Sequence, residues 1–226
     1  LQKVVILFGN GLIDMFGKDV MESLKESGVE VLEYQELDTV RLEDLTSLAF
    51  SMPAKTQAII GIGGGKCLDT VKLAGDQLGK PVVTIATIAS TCAAVTKISI
   101  MYNADGSFKD IPKLKAAPVH CLIPTSVIAE APIQYLWAGI GDTMAKHVEC
   151  TFSARNDQLD YASELGRTIS AMCFEPVIAH GVSALRAAKN QEVSDDLEQI
   201  IQNILISTGS VSLLVHPDYN SALAHA

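Results

Sequence analysis

The 226 residues contain no C-x-x-C pair, no run of lysine or arginine, and no unbroken apolar stretch near the roughly 18 residues of a membrane span. Each absence removes a class of protein. The five cysteines (67, 92, 121, 150 and 173) are odd in number and widely spaced, which implies free thiols in a reducing cytoplasm. A net charge of −9 without a basic cluster speaks against nucleic acid or an anionic membrane as the main partner. Nothing resembles a signal peptide, and there are no repeats, low-complexity tracts or flexible linkers. Aromatics are scarce at 5%, while hydrophobic residues reach 48% and charged ones 19%, a globular profile rich in small aliphatics. Two familiar nucleotide signatures are also missing. The chain has neither G-x-G-x-x-G nor G-x-x-x-x-G-K-[ST].

What it has is Ala58 to Lys72, A-I-I-G-I-G-G-G-K-C-L-D-T-V-K. A short apolar run suited to a buried parallel strand breaks into Gly61, Gly63, Gly64 and Gly65. It resumes as a helix with Leu68, Val71 and Ala74 at helical spacing. Glycine lets the backbone turn sharply and approach a ligand closely. The helix start aims free N–H groups and a positive dipole end at the turn. Strand, glycine turn and helix therefore form a phosphate cradle with Lys66 beside it; the plainer alternative is a turn that only packs helix on strand.

Around this unit, Lys3–Phe8, Glu30–Tyr34 and Val82–Ile85 read as strands, and His120–Pro124 as a short one. Helices are expected up to about Ser27, over Arg41–Phe50 and up to Leu78. Asn103–Gly106 is a hairpin-type turn leading to a short ribbon through Phe108. Such alternation predicts a Rossmann-like α/β domain, a parallel sheet with helices on both faces and ligands at the carboxyl ends of its strands. Beyond Ile128 the period changes to helical over 129–153, 158–173 and 195–214. The expected organisation is an α/β domain over 1–126 followed by an all-α domain over 127–226. The chain opens on a core strand and closes in mid-helix by pattern, so a truncated chain is expected.

Asp142 lies in A-G-I-G-D-T-M-A-K, a carboxylate in a helix's first turn, where a capping aspartate is the simpler account. His225 sits among Ser221, Ala222, Ala224 and Ala226, small neighbours that leave room for an imidazole. Together they are suitable ligand types for Zn²⁺ or Fe²⁺, though a site needs at least one more. His147 lies about 140° round a helix from Asp142 and faces elsewhere. His120 begins a strand, His216 precedes a proline in a loop, and His180 suits a helix end.

The segments G-I-G-G-G-K-C-L-D-T-V-K, T-I-A-S-T, S-I-M-Y, I-A-E-A-P-I-Q-Y-L-W-A-G-I-G-D-T-M-A-K and A-H-A carry a resemblance. The chain resembles the iron-containing alcohol dehydrogenase superfamily, in its glycerol dehydrogenase-like branch, essentially end to end. The resemblance implies that Gly65 and Lys66 hold a pyrophosphate, that Gly63, Gly64 and Asp69 also belong to the cofactor site, and that Thr87 and Ser90 contact the cofactor. It implies that Thr96, Ile98 and Tyr102 line the nicotinamide half, and that Asp142 and His225 are two of three metal ligands. The third, a histidine in a later helix, has no counterpart here. It further implies a homo-oligomer acting on a small alcohol or oxo acid.

Two departures bear on specificity. Where glycerol dehydrogenases place an aspartate against the polyol, this chain has Cys92, a poor acceptor for substrate hydroxyls. The run A-S-T-C-A-A is similar to a sister branch acting on 2-oxo acids. The first strand ends Phe8-Gly9-Asn10-Gly11, without the carboxylate that would bind an adenosine ribose, so NADP is as credible as NAD. The expected reaction is hydride transfer between a nicotinamide cofactor and a polyol such as glycerol, or a 2-hydroxy or 2-oxo acid, with Zn or Fe as Lewis acid. The rivals are a dehydroquinate synthase-like lyase and a nucleotide-binding homologue without catalysis.

Overall fold

The computed structural model describes residues 2–37, 51–103 and 105–220. The helix expected over 41–50 lies outside the described residues. Two compact units are present, one of Leu1–Thr87 with Ala93–Ile123, the other of Ile88–Cys92 with the residues from Pro124 onward.

The first unit is built on five parallel strands in the order β2-β1-β3-β4-β7: β1 Lys3–Gly9, β2 Glu30–Leu37, β3 Ala58–Gly63, β4 Val82–Ala86 and β7 His120–Leu122. Residues 4 to 8 of β1 are all buried, as a central strand covered on both faces requires. The period of two divides them. Val4, Ile6 and Phe8 join Ala58, Ile60 and Ile62 on one face. Val5, Leu7 and Ile59 face Cys67, Val71 and Ala74 of helix α2, Gly65–Leu78. Helix α1, Lys18–Glu26, follows a wider π-type turn at Ile13–Gly17. A left-handed Gly79, φ 62°, closes α2. The expected ribbon is an antiparallel pair, β5 Met101–Tyr102 with β6 Phe108–Asp110.

The second unit is helical throughout its described residues: α3 Thr125–Glu130, α4 Ile133–Ser153, α5 Tyr161–Ile169, α6 Glu175–Lys189, α7 Asp195–Gln202, α8 Thr208–Leu214 and α9 Pro217–Asn220. Its core is the run Leu197, Ile200, Ile201, Ile204 and Leu205, at most 1% exposed.

Several boundaries differ from the sequence reading. The helix expected from 129 is two, because Ala131, ahead of Pro132, is extended at φ −67°, ψ 155°. The 158–173 stretch begins at Tyr161 and tightens into a 3₁₀ turn at Ser170–Cys173. The 195–214 stretch widens into a π turn at Asn203–Ser207. Helix α6 was not anticipated; Pro176 stands in its first turn, where the missing N–H breaks no bond. His180 is consequently mid-helix, with Nδ1 2.7 Å from Asp196 Oδ1 on α7. The helical run Tyr161–Lys189 is also long and apolar enough to cross a membrane by length and composition alone. Scattered alanines and aliphatics supply that hydropathy without any unbroken apolar stretch.

Candidate functional site

The glycine turn stands at the carboxyl end of β3. Gly63 is its tightest point: a Cβ there would lie 2.8 Å from Cys67 Cβ and 3.0 Å from its Sγ. Gly64, at φ −87°, ψ −178°, precedes α2 without any side-chain cap, and the first turn carries no acidic residue. The N–H groups at this helix start are therefore left to a ligand. The turn after β1 lies alongside, a Cβ on Gly9 falling 3.6 Å from Gly63 Cα. Cys67, beneath the turn, points its thiol at Ile62 O and Leu7 O, and burial pushes it up to about 12. It is inert.

Residues 96–102 run back along α2 towards the glycine turn, tied to it at every third residue. Lys72 Nζ donates to Thr96 O and Oγ1, both 3.2 Å, and to Ile98 O at 2.5 Å. It also pairs with Asp69 Oδ1 at 2.8 Å. Asp69 Oδ2 accepts from Ile100 N–H, and Ser99 Oγ donates to Asp69 O. Lys66 ends the series with Nζ 5.0 Å from the Tyr102 ring centroid, a cation–π contact. Burial, then the Asp69 charge, raises the Tyr102 pKa. Asp69, expected at the cofactor, has a side chain 6% exposed with both carboxylate oxygens engaged within the protein. It orients residue 100. The signal was present in K-x-x-D-x-x-K, where i, i+3 spacing puts 66, 69 and 72 along one helix stripe. Thr87, buried, donates its N–H to Gly63 O at 3.1 Å and belongs to the same unit.

In the second unit, residues 88–92 cross α4. A Cβ on Gly139 would come within 2.2 Å of Ala89 O and 3.0 Å of Ile204 Cδ1, so only glycine admits the crossing. Ser90 and Cys92, partly buried, thus lie on a segment seated one turn before Asp142. Asp142 is partly buried too, in mid-helix rather than at a helix start as its glycines suggested. Next to it Thr143 Oγ1 accepts from Thr208 Oγ1 at 3.1 Å. One turn on, buried Lys146 donates to Asn220 O and, at 3.1 Å, to Asn220 Oδ1, which Ser212 Oγ also reaches at 2.7 Å. Asn220, five residues before His225, is thereby fastened to the helix of Asp142. His225 itself lies outside the described residues.

A family model described as iron-containing alcohol dehydrogenase matches residues 1–132. The chain belongs to that family. It is 34% identical over 170 residues to the glycerol dehydrogenase of Thermotoga maritima, covering 73% of this chain and 47% of that one. It is 33% identical over 184 residues to hydroxycarboxylate dehydrogenase A of Escherichia coli, covering 81% and 51%. The crystal structure of glycerol dehydrogenase from Schizosaccharomyces pombe superposes with a TM-score of 0.85 at 26% identity, over 95% of this chain and 55% of that one. The chain spans about half the length of the curated relatives it matches.

Family membership implies a nicotinamide cofactor and a divalent metal. The glycine turn fits the first: a helix start without a side-chain cap or an acidic first turn, and a lysine at hand. For the metal, the described residues supply one expected ligand, Asp142, and no group of three or more His, Cys, Asp or Glu among them could hold an ion.

Proposed function

We propose that the chain forms the cofactor-binding part and part of the metal-binding region of a cytoplasmic, homo-oligomeric NAD(P)-linked dehydrogenase. Its substrate is a small polyol such as glycerol or a 2-hydroxy/2-oxo acid. Residues 1–126 bind the dinucleotide and 127–226 carry the metal ligands. The observation that carries this reading is the uncapped glycine turn at the head of a buried helix in a member of this family. Its N–H groups and Lys66 hold the pyrophosphate, with Thr87 and Ser90 along the cofactor. Thr96 and Ile98, held by Lys72, and Tyr102, against Lys66, line the nicotinamide half and exclude water from it. Asp142 and His225 contribute to a zinc or ferrous site, supported by the tie between Asn220 and the helix of Asp142. A metal held there would supply Lewis acidity, and a nicotinamide cofactor on the glycine turn would supply the hydride chemistry. The likeness to glycerol and hydroxycarboxylate dehydrogenases favours this reading over a dehydroquinate synthase-like lyase.

The test is a fluorescence titration of the purified chain with reduced nicotinamide dinucleotides, together with metal analysis. Gly63→Ala should weaken binding by roughly ten-fold or more, since its methyl displaces Cys67 and the turn above it. Asp142→Asn should keep nucleotide affinity while losing metal and any metal-dependent turnover. Nucleotide affinity unchanged in Gly63→Ala would refute the reading.

A further inference from the structure

The turn after β1 lacks the carboxylate that would discriminate between a ribose hydroxyl and a 2′-phosphate, but the fold brings one to it from another strand. Phe8 and Gly9, at the end of β1, pair with Glu36 and Leu37 at the end of β2. On the other side Phe8 pairs with Ile62, next to the glycine turn. The carboxyl ends of β2, β1 and β3 thus lie side by side, about 4.8 Å apart per strand. From the middle of this edge, Gly9-Asn10-Gly11 turns with Gly11 at φ 76°. Glu36 is exposed and reaches over this turn, its Oε1 accepting from Ile13 N–H at 3.1 Å. The nicotinamide-side residues Thr96, Ile98 and Tyr102 are fastened to α2, and Thr87, beyond β4, to Gly63. A dinucleotide whose pyrophosphate rests on Gly63–Lys66 then extends its adenosine over β1, towards β2.

We propose that Glu36 takes the place of the missing carboxylate, accepting hydrogen bonds from the adenosine ribose hydroxyls and repelling a 2′-phosphate, so that the chain prefers NAD to NADP. The inference rests on the cofactor reading above. Its physical basis is that one carboxylate oxygen is held by Ile13 N–H, which fixes the side chain over the turn. An anion so placed is a poor neighbour for a doubly charged phosphate and a good acceptor for a hydroxyl.

Glu36→Gln is the discriminating variant, because its amide oxygen still accepts from Ile13 N–H while the charge is gone. Calorimetric titrations of the wild type and variant with NADH, NADPH, AMP and 2′,5′-ADP measure the 2′-phosphate penalty on the whole cofactor and on its adenosine end. The wild type should bind NADH roughly ten-fold or more tighter than NADPH, and Glu36→Gln should narrow that ratio at least about five-fold. AMP against 2′,5′-ADP should follow the same trend. Glu36→Lys should bring the ratio to unity or below, and serves if the glutamine variant is poorly folded. A wild type that binds NADPH as well as NADH, or ratios unmoved in both variants, overturns the assignment of Glu36 while leaving the glycine turn intact. Binding of neither nucleotide by the wild type overturns the cofactor reading itself, and Glu36 with it.

Discussion

Lys72 and Asp69 are a cation and an anion inside a hydrophobic helix–sheet interface, with side chains 1% and 6% exposed. Taking two charges out of water is costly, and the cost is recovered only when every donor and acceptor is used. Here Lys72 meets Asp69, Thr96 and Ile98, and Asp69 meets Lys72 and Ile100. Burial raises the Asp69 pKa, against which the lysine charge and the hydrogen bonds act. Removing one partner leaves the other buried and uncompensated. Lys72→Met should therefore destabilise the first unit by about 3 kcal/mol or more in urea unfolding, whereas Lys72→Met with Asp69→Leu should recover much of the loss. Equal stability of the single and double variants would show that the pair is not coupled. Cofactor affinity should fall in the single variant, because residues 96–100 lose their attachment.

Among elements, α5 and α7 of the second unit are begun by side-chain caps, Asp160 and Ser194, that the sequence displays. Asp160 precedes α5 with Oδ1 accepting from Ser163 N–H at 2.9 Å and Oδ2 from Ser163 Oγ at 3.1 Å. Those bonds favour the ionised form and hold its carboxyl below the usual carboxylate range. A carboxyl lowered in the folded state contributes stability above its unfolded value, near 4, which is lost as pH falls through the folded one. Asp160→Ala should lower the thermal midpoint at pH 7, and the gap to wild type should close as pH drops below about 3. A gap independent of pH would mean that the cap does not act through its charge. The same unit shows the limit of local signals: α6 begins at Glu175–Pro176, without a side-chain cap to mark its start.

For the whole molecule, the proposed function makes substrate choice depend on Cys92, whose segment 88–92 belongs to the helical unit, where Ala89 crosses the helix of Asp142 at Gly139. A thiol in place of a carboxylate offers polyol hydroxyls a weak acceptor. The holoenzyme should consequently have a higher kcat/KM for 2-hydroxy acids than for glycerol, and Cys92→Asp should move that ratio towards glycerol by about ten-fold. Steady-state assays across both classes decide it, and a wild type that favours glycerol over every hydroxy acid tested removes Cys92 from specificity.

What the sequence by itself determined are the features carried by neighbours along the chain. Period-two burial in β1 and β3, the glycine turn, the helix after it and the capped helices of the second unit all follow from residues within one turn or one strand of each other. Family membership is legible for the same reason, since its motifs are contiguous. Only the tertiary structure decided the roles that depend on distant partners. Asp69 and Lys72 hold residues 24 to 31 positions further along the chain. Segment 88–92 leaves the sheet unit for the helical one. Glu36, anonymous on an exposed strand, comes to Ile13 because β2 lies beside β1 in one particular register. A strand's pattern tells which face is buried, but strand order and register are set by the packing of the whole sheet, and a shift of one residue would turn Glu36 to the other face.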